Sequence, residues 1–241
     1  MALSVSDFDL NAIASSCKDT VWQQATLSAV GNLTMDGGQS MVVNADLTPS
    51  VTFETDSEAV SIAESTVTGV SEGSATITAL GASLPITVNA TAVMATELHS
   101  IAINDIVALN DPSFGSFSTS YDLDVKAKAV HSLTQESDVA SIFTYVLFSD
   151  GASQYVQDGV TGVALKPTIL EVSSNATSKA PMEVVVPVGA GSYAGSDMLD
   201  LAWVLCDDTL TTGQVYVDVD LPAVVAVDVS IDNSEIYSAA D

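Results

Sequence analysis

The chain has 241 residues, of which 47% are hydrophobic, so it can bury one large core or two smaller ones. Its 31 acidic residues far outnumber the five basic ones, and the formal net charge is −26 at pH 7. All the basic residues are lysines, so the arginine forks and cationic clusters that bind phosphate groups are missing, which excludes a nucleic-acid partner and disfavours anionic membrane surfaces.

No segment of the sequence has the features of a membrane span or a secretory signal. The apolar runs fall short of the roughly 18 residues that a membrane-spanning helix needs. The N-terminal stretch MALSVSDFDLNAIASSC has neither a positive n-region nor a continuous apolar run. We therefore expect no membrane insertion. A secreted protein lacks a signal once it has been processed, so other features decide the location.

From the N-terminus onward, the predicted elements are short β-strands rich in Val, Ile and Thr and bounded by Gly, Pro, Asn, Asp or Ser. The clearest of them are residues 41–43, 50–54, 85–88, 183–186 and 215–219. No segment keeps a helical period, and the strands recur about every ten residues, as they do in β-sandwiches. The sequence therefore predicts an all-β fold.

One stretch, STVTGVSEGSATITALG at residues 65–81, alternates apolar and polar residues on both sides of a glycine-flanked segment. We interpret it as a hairpin in which Gly69 and Gly73 bracket a tight turn. The alternation then sends Val67 and Ile77 to the same face. A phosphate-binding loop would need a following helix and a basic residue, and neither follows this segment.

Residues 51–79, VTFETDSEAVSIAESTVTGVSEGSATITA, resemble the bacterial immunoglobulin-like group 2 family. The shared features are an aromatic strand residue, a Ser/Asp turn, a valine strand, a V-T-G-V turn and a G-x-A-T-I strand, here Phe53 and residues 55–57, 60–62, 67–70 and 73–77. Members of that family are β-sandwich modules on surface proteins such as invasin-type adhesins. The resemblance implies tandem immunoglobulin-like β-sandwich modules in an extracellular or cell-surface protein.

Two pairs of similar segments, here called echoes, suggest related modules in tandem. Residues 6–21 are echoed by residues 196–210, and residues 92–101 are echoed more faintly by residues 223–231. The predicted organisation is residues 1–19, strands packing on a neighbouring module; 20–94, module 1; 95–222, module 2; and 223–241, the first strand of a following module or a strand that pairs in trans. Val227, Val229 and Ile231 are the residues expected to make that last contact by β-strand addition.

The sequence also carries two cysteines and three N-x-[S/T] sequons. Cys17 and Cys206 occupy matching places in the first echo, and three arrangements stay open: a disulfide with each other, disulfides to other modules or chains, and free thiols. Asn32, Asn89 and Asn175 are the candidate glycosylation sites. These features favour an extracellular protein.

Aspartates two residues apart are the candidate metal ligands, because on a strand this spacing puts both carboxylates on one face. The pairs are Asp7/Asp9, Asp122/Asp124 and Asp218/Asp220. Such pairs suit calcium, and they also fit the ordinary solvated face of a sandwich. We take the first and last pairs as candidate calcium ligands and expect no other cofactor.

Nothing in the sequence points to an active site, so we expect no enzyme. His99 and His131 stand alone, without an H-x-x-x-H pattern, a nearby cysteine pair or a Gly-x-Ser-x-Gly elbow. Phe114 and Phe117 lie in a polar stretch and are candidate contact residues.

The function that fits these features is a structural repeat of an extracellular surface filament, appendage or coat, assembled from neighbouring copies by β-strand addition and module contacts. The alternative is an adhesin segment that binds a glycan or a cell-surface receptor. A third hypothesis, an accessory domain of a secreted carbohydrate-active enzyme, requires a catalytic module elsewhere in the parent protein.

Overall fold

The structure is a computed structural model that describes residues 2–34, 40–108, 127–130, 132–156, 158–173 and 182–222. Within these ranges every regular element is a β-strand except one 3-10 turn at Thr48–Ser50. The predicted all-β fold is therefore confirmed.

The first half of the chain forms a β-sandwich of two sheets, here called the first module. Its strands are β1 (Ala2–Val5), β2 (Asp9–Ile13), β3 (Val21–Trp22), β4 (Gln24–Thr34), β5 (Ser40–Asp46), β6 (Glu54–Thr55), β7 (Val60–Ala63), β8 (Thr66–Gly69), β9 (Gly73–Ala79) and β10 (Ala82–Val93). One sheet has the order β1-β4-β8-β7, with β5 also pairing β4, and the other has the order β3-β2-β10-β9-β6.

Alternation along the strands builds the core of the first module, because successive side chains of a strand point to opposite faces. Ile77 and Ile86 point inward from one sheet, and each residue is at most 1% exposed. Leu27 and Val67 cover them from the other sheet and are equally buried. Burial of each such side chain stabilises the fold by about 1.5–3 kcal/mol.

The second half of the chain forms a second sandwich, here called the second module. Its strands are β11 (Ala95–Ile103), β12 (Asp105–Ala108), β13 (Ala127–Val130), β14 (Ser132–Leu133), β15 (Val139–Phe148), β16 (Ser153–Val156), β17 (Val160–Ala164), β18 (Glu171–Ser173), β19 (Met182–Val185), β20 (Tyr193–Leu205) and β21 (Asp208–Leu221). The orders are β11-β15-β19-β18, with β16 also on β15, and β14-β21-β20-β17; β12 pairs with β13.

The core of the second module is larger than that of the first and contains a pair of buried aromatic rings. Trp203 on β20 meets the ring of Phe148 edge-on, with ring centroids 6.1 Å apart. On β21, Val217 and Val219 are buried, whereas Tyr216, the residue before Val217, is exposed on the outer face. This alternation is the one expected for a half-buried antiparallel strand.

Both modules have the arrangement of an immunoglobulin-like sandwich. In each, the last two strands form a hairpin, and the last strand also runs parallel to a short strand near the start of the module: β10 with β2, and β21 with β14. The facing sheets, β1-β4-β8-β7 and β11-β15-β19-β18, correspond strand for strand. The fold is therefore a tandem of immunoglobulin-like modules.

The hairpin predicted between β8 and β9 is wrong. The two strands lie in opposite sheets, so Val67 and Ile77 face the same core from opposite sides. The hairpin of this region is β9–β10, closed by Leu80 and Gly81 with φ values of 46° and 81°. Such two-residue turns match the twist of the flanking strands. Alternation identifies the buried residues but does not identify the neighbouring strand.

The N-terminal strands also differ from the prediction, which assigned residues 1–19 to packing on a neighbouring module. β1 pairs with β4 and β2 with β10, both inside the first module, and Leu10 is fully buried in its core. The reason is the apolar alternation of β2, which continues the sheet beside Val88. The bounds given for the two modules, residues 20–94 and 95–222, stay a prediction.

Most of the predicted strands are confirmed, since residues 41–43, 85–88, 183–186 and 215–219 fall in or overlap β5, β10, β19 and β21. The strand predicted at residues 50–54 is wrong. Pro49 cannot donate a ladder hydrogen bond and stands inside the 3-10 turn, so the next strand begins only at Glu54.

Candidate assembly surfaces

A disulfide between Cys17 and Cys206 joins the two modules, with their Cα atoms 5.3 Å apart and a sequence separation of 189. It is one of the three arrangements that the sequence left open. Cys17 follows β2, whereas Cys206 lies in the turn between β20 and β21. Since these strands are not equivalent in the two modules, the first echo does not mark equivalent positions.

A group of polar side chains connects the modules beside the disulfide. Asp150, in the turn between β15 and β16, accepts hydrogen bonds from the side-chain amides of Asn11 at 2.8 Å and Gln23 at 3.5 Å. The carbonyl oxygen of the Gln23 side chain accepts the backbone N–H of Asn11 at 2.7 Å. Gln23 is 1% exposed, so these bonds replace the hydrogen bonds to water that its side chain loses on burial.

Backbone and apolar contacts complete this junction. Ser149 and Met94 exchange two hydrogen bonds, one from the Ser149 N–H to the Met94 carbonyl at 2.9 Å and one from the Met94 N–H to the Ser149 hydroxyl at 3.1 Å. Ile13 and Val93, at the ends of β2 and β10, are buried in the core of the second module. The first module thus supplies part of the second module's core.

The candidate calcium ligands Asp7 and Asp9 lie next to this junction. The backbone N–H of Asp9 donates to the Asp7 carboxylate at 3.1 Å. Burial raises the pKa of Asp7 above its usual 3.8, and the charges of Asp150 and Asp9 raise it further. Within the part of the chain that the structure describes, no three His, Cys, Asp or Glu side chains converge to hold a metal ion.

The other candidate pair, Asp218 and Asp220, lies on the outer face of β21. Both side chains are exposed and alternate with the buried Val217 and Val219. This is the solvated sandwich face that the sequence offered as the alternative to calcium binding. Calcium binding by either pair stays a prediction.

An aromatic face covers the outer side of β15 and β16. Tyr145 is 47% exposed, and its ring centroid lies 5.3 Å from that of Tyr155. Phe143 is on the same face, 6.4 Å from Tyr155, and Ile101 on β11 lies opposite Phe143. This face is not among the predictions made from the sequence. Its signal is the strand VASIFTYVLF, which is apolar at both odd and even positions.

Edge strands of the described sheets, among them β7 and β17, offer hydrogen-bonding backbone for strand addition. In the described sheets, β7 (Val60–Ala63) and β17 (Val160–Ala164) each have a strand neighbour on one side only, β8 and β20 respectively. Val163 is a large exposed hydrophobic residue on β17. Edges of this kind can pair with a strand of another chain.

The remaining predicted site residues are separated from the junction or lie outside the described residues. Asn32 is exposed on β4, and its side-chain oxygen accepts the N–H of Asn44 at 3.0 Å, whereas Asn89 is half-buried on β10. His99 is exposed and lies 2.8 Å from the carboxylate of Glu97. The residues outside the described ranges are Phe114, Phe117, Asp122, Asp124, His131, Asn175, Val227, Val229 and Ile231.

Among the residues that the structure describes, no helix has the length and apolar character of a membrane span.

Comparison with known proteins gives similar structures only. No protein-family model and no curated protein matches the chain. Domains 5 and 6 of the S-layer protein SbsC are 18% identical over 91% of this chain and 97% of that chain, with a TM-score of 0.35. Domains 4 to 9 of the surface layer protein SbsC are 17% identical over 92% of this chain, which spans 31% of that structure, also with a TM-score of 0.35. Likeness at this level carries no argument about function.

Proposed function

We propose that this protein is a non-enzymatic structural repeat of an extracellular surface filament, appendage or coat, in which immunoglobulin-like modules are joined end to end. The observation that carries the proposal is the junction between its two modules, where a disulfide, side-chain hydrogen bonds and a shared core fix one module on the next. Modules on flexible linkers move independently, whereas a repeat in a polymer benefits from a fixed orientation.

The extracellular location is supported by the disulfide, because such bonds persist in oxidising compartments and are rare in reducing ones. The resemblance of residues 51–79 to the bacterial immunoglobulin-like group 2 family supports the same location. Glycosylation at the exposed Asn32 would agree with it, and mass spectrometry of protein from its native source would detect the added mass.

Strand addition is the proposed means of linking copies. The edges of β7 and β17 present backbone groups that an incoming strand could pair with. Residues 223–241 supply a strand-like sequence, AVVAVDVSIDNSEIYSAAD, in which Val227, Val229 and Ile231 alternate with polar residues. A net charge of −26 makes copies repel each other, so we expect association to require high salt or calcium.

Sedimentation velocity of the full chain and of a chain truncated after residue 222 tests this function. We expect the full chain to form oligomers at high salt or with calcium, and the truncated chain to remain monomeric. A full-length variant with Val227→Thr, Val229→Thr and Ile231→Thr keeps the length and should behave like the truncated chain. A full chain that stays monomeric in low salt, high salt, calcium and reductant would contradict the proposal.

A second function, binding of a glycan or receptor by an adhesin segment, is favoured by the aromatic face on β15 and β16. Aromatic rings with a polar hydroxyl combine an apolar contact surface with a hydrogen-bonding group. If this face binds a glycan, Tyr145→Ala should weaken binding in a glycan-array assay at least tenfold. Tyr216→Ala removes an exposed tyrosine from the other sheet and serves as the matched control.

A further inference from the structure

The second module contacts the first through a hairpin turn at one of its ends. Cys206 and Asp207 form this turn between β20 and β21, with φ values of 49° and 71°. Cys206 is bonded to Cys17 of the first module. Asp208, beside the turn, accepts the backbone N–H of Ser16 at 3.0 Å. The hairpin turn of the second module thus docks on the end of the first module at which β2 and β10 terminate.

The first module carries the same kind of turn at the same place in its fold. Leu80 and Gly81 join β9 to β10 with φ values of 46° and 81°, so both turns have two left-handed residues. Leu80 is the first residue of this turn, which is the position that Cys206 occupies in the turn of the second module. Since β10 runs from this turn to Val93 at the junction, Leu80 lies at the end that faces away from the second module.

Leucine is an unfavourable residue for this turn in an isolated chain. A left-handed backbone is unfavourable for most non-glycine residues, and Asn, Asp or Gly is preferred there. The side chain of Leu80 is 73% exposed, so burial within the described chain does not offset that cost. Residues that break a local rule without a local gain tend to mark functional sites.

The far end of the second module has an exposed apolar residue at the place where a turn would dock. β21 runs from the junction to Leu221, which pairs with Tyr193 at the start of β20. Just before β20 lies Val188, which is 80% exposed. Both ends of the described two-module unit therefore expose an apolar side chain.

A second turn, residues 134–138, stands beside Val188 and corresponds to the segment that carries Cys17. The N–H of Ser137 donates to the carbonyl of Val186 at 2.9 Å, which ties this turn to the loop that contains Val188. Ser137 is the fourth residue after β14, just as Cys17 is the fourth residue after the equivalent strand β2.

We propose that the Leu80-Gly81 turn of one copy docks on the far end of the second module of another copy, against Val188 and the turn of residues 134–138. The proposal rests on the proposed polymeric function and identifies one of its contacts. A shallow concavity beside Leu80 gives Val188 of the other copy a place to pack; its lining includes Val51, Thr52 and Thr78.

Two properties of this contact follow from its residues. Each copy uses two different surfaces, so the contact is head-to-tail and gives a linear polymer unless the rotation closes a ring. Leu80 replaces Cys206, so the contact between copies is non-covalent and reversible, and a reductant should open the junction within a chain without dissociating the copies.

An engineered disulfide tests the contact directly. The variant Leu80→Cys with Ser137→Cys copies the Cys206–Cys17 bond between two chains. Under mild oxidation at high salt we expect a ladder of covalent oligomers on non-reducing gels, with a peptide pair joining positions 80 and 137 in mass spectrometry. Leu80→Cys with Thr212→Cys, which places the second cysteine at an exposed position of β21, an inner strand of its sheet, is the matched control and should give at least tenfold less ladder.

A second variant tests the role of leucine without adding cysteine. Leu80→Asn keeps a residue that tolerates the left-handed turn and removes the apolar side chain, so the fold should be retained. We expect it to weaken association at high salt at least tenfold in sedimentation velocity. Tyr216→Thr removes an exposed apolar side chain from the outer face of β21, which has strand neighbours on both sides, and should have no such effect.

The outcomes separate this contact from the proposed function. If the wild type forms oligomers, Leu80→Asn leaves them unchanged and the 80/137 pair gives no ladder, the proposed contact is wrong. The proposed polymer would then be unaffected. A wild type that is monomeric in every condition would overturn the polymer. A specific 80/137 ladder in that case would still support the contact.

Discussion

Gly69 shows how a single residue brings a strand close to its neighbours. Its φ is not among the left-handed ones, so its role is close packing rather than the tight turn that the sequence suggested. A Cβ atom at this position would lie 2.9 Å from the Cβ of Trp22 and 3.1 Å from Cγ1 of Val88. Real Cβ atoms do not approach so closely, so a larger residue must displace β8.

We predict that Gly69→Ala lowers the free energy of unfolding by about 1–3 kcal/mol, the usual range for overpacking a core. Urea denaturation followed by tryptophan fluorescence measures it. Gly81→Asn is the control, because an added Cβ atom there would meet nothing within 4 Å beyond its chain neighbours and asparagine tolerates its left-handed backbone. Equal stability of Gly69→Ala and the wild type would show that β8 can shift without loss.

Asp7 should make stability depend on pH. Its pKa is raised by burial and by the charges of Asp150 and Asp9, so the folded protein holds the Asp7 proton more tightly than the unfolded chain does. The contribution to stability is therefore fully present below the unfolded value, near 3.8, and is lost as the pH rises through the higher folded value.

Asp7→Asn removes this effect while keeping an oxygen that can accept the N–H of Asp9. We predict that it stabilises the protein at pH 7 by up to about 1 kcal/mol, a small value because the site is partly solvated. The difference should vanish below pH 3.8. Asp220→Asn, on the solvated face of β21, should change little. If calcium binds near Asp7, it should raise the melting temperature of the wild type more than that of Asp7→Asn.

At the scale of elements, the sequence predicts which segments are strands better than it predicts their partners. The alternation of β10 and β21 gives both strands and their inward faces, because that pattern depends on local geometry alone. The pairing of β8 and β9 was wrong because partner choice depends on contacts that are distant in the chain. The pairing of Cys17 with Cys206 could not be deduced for the same reason.

β15 shows what a departure from alternation means. The sequence VASIFTYVLF predicts a strand that is covered on both faces, as in parallel sheets. In the structure one face is buried and the other carries the half-exposed Phe143 and the exposed Tyr145. The exposed apolar residues on the outer face are thus visible in the sequence as a departure from alternation.

The junction between β2, β3 and the β15–β16 turn depends on Gln23. We predict that Gln23→Leu lowers the free energy of unfolding by about 1–3 kcal/mol, because it leaves the part-buried Asn11 N–H without its acceptor and removes one of the hydrogen bonds to the Asp150 carboxylate. Thermal unfolding measures the loss. Gln214→Leu breaks an exposed bond to Asp200 and is the matched control; an equal effect of the two would argue against the junction.

At the scale of the whole molecule, the disulfide should decide how firmly the modules are held together. We predict that Cys17→Ser with Cys206→Ser lowers stability by about 2–5 kcal/mol, because the bond closes a very long loop. Small-angle X-ray scattering should also show a broader range of module orientations. Adding reductant to the wild type should reproduce both changes, and adding it to the double variant should change nothing.

Identical melting temperatures and scattering curves for the wild type and the double serine variant would contradict that expectation. The hydrogen bonds of Asp150 and the burial of Ile13 and Val93 would then suffice to hold the junction.

We propose that copies of this chain join end to end into a structural polymer, and negative-stain electron microscopy of the purified full chain at high salt, with and without calcium, would show such a polymer. We predict linear filaments that shorten to single two-module particles when residues 223–241 are removed. Isolated particles of the full chain in every condition would contradict the claim and would favour the glycan-binding alternative.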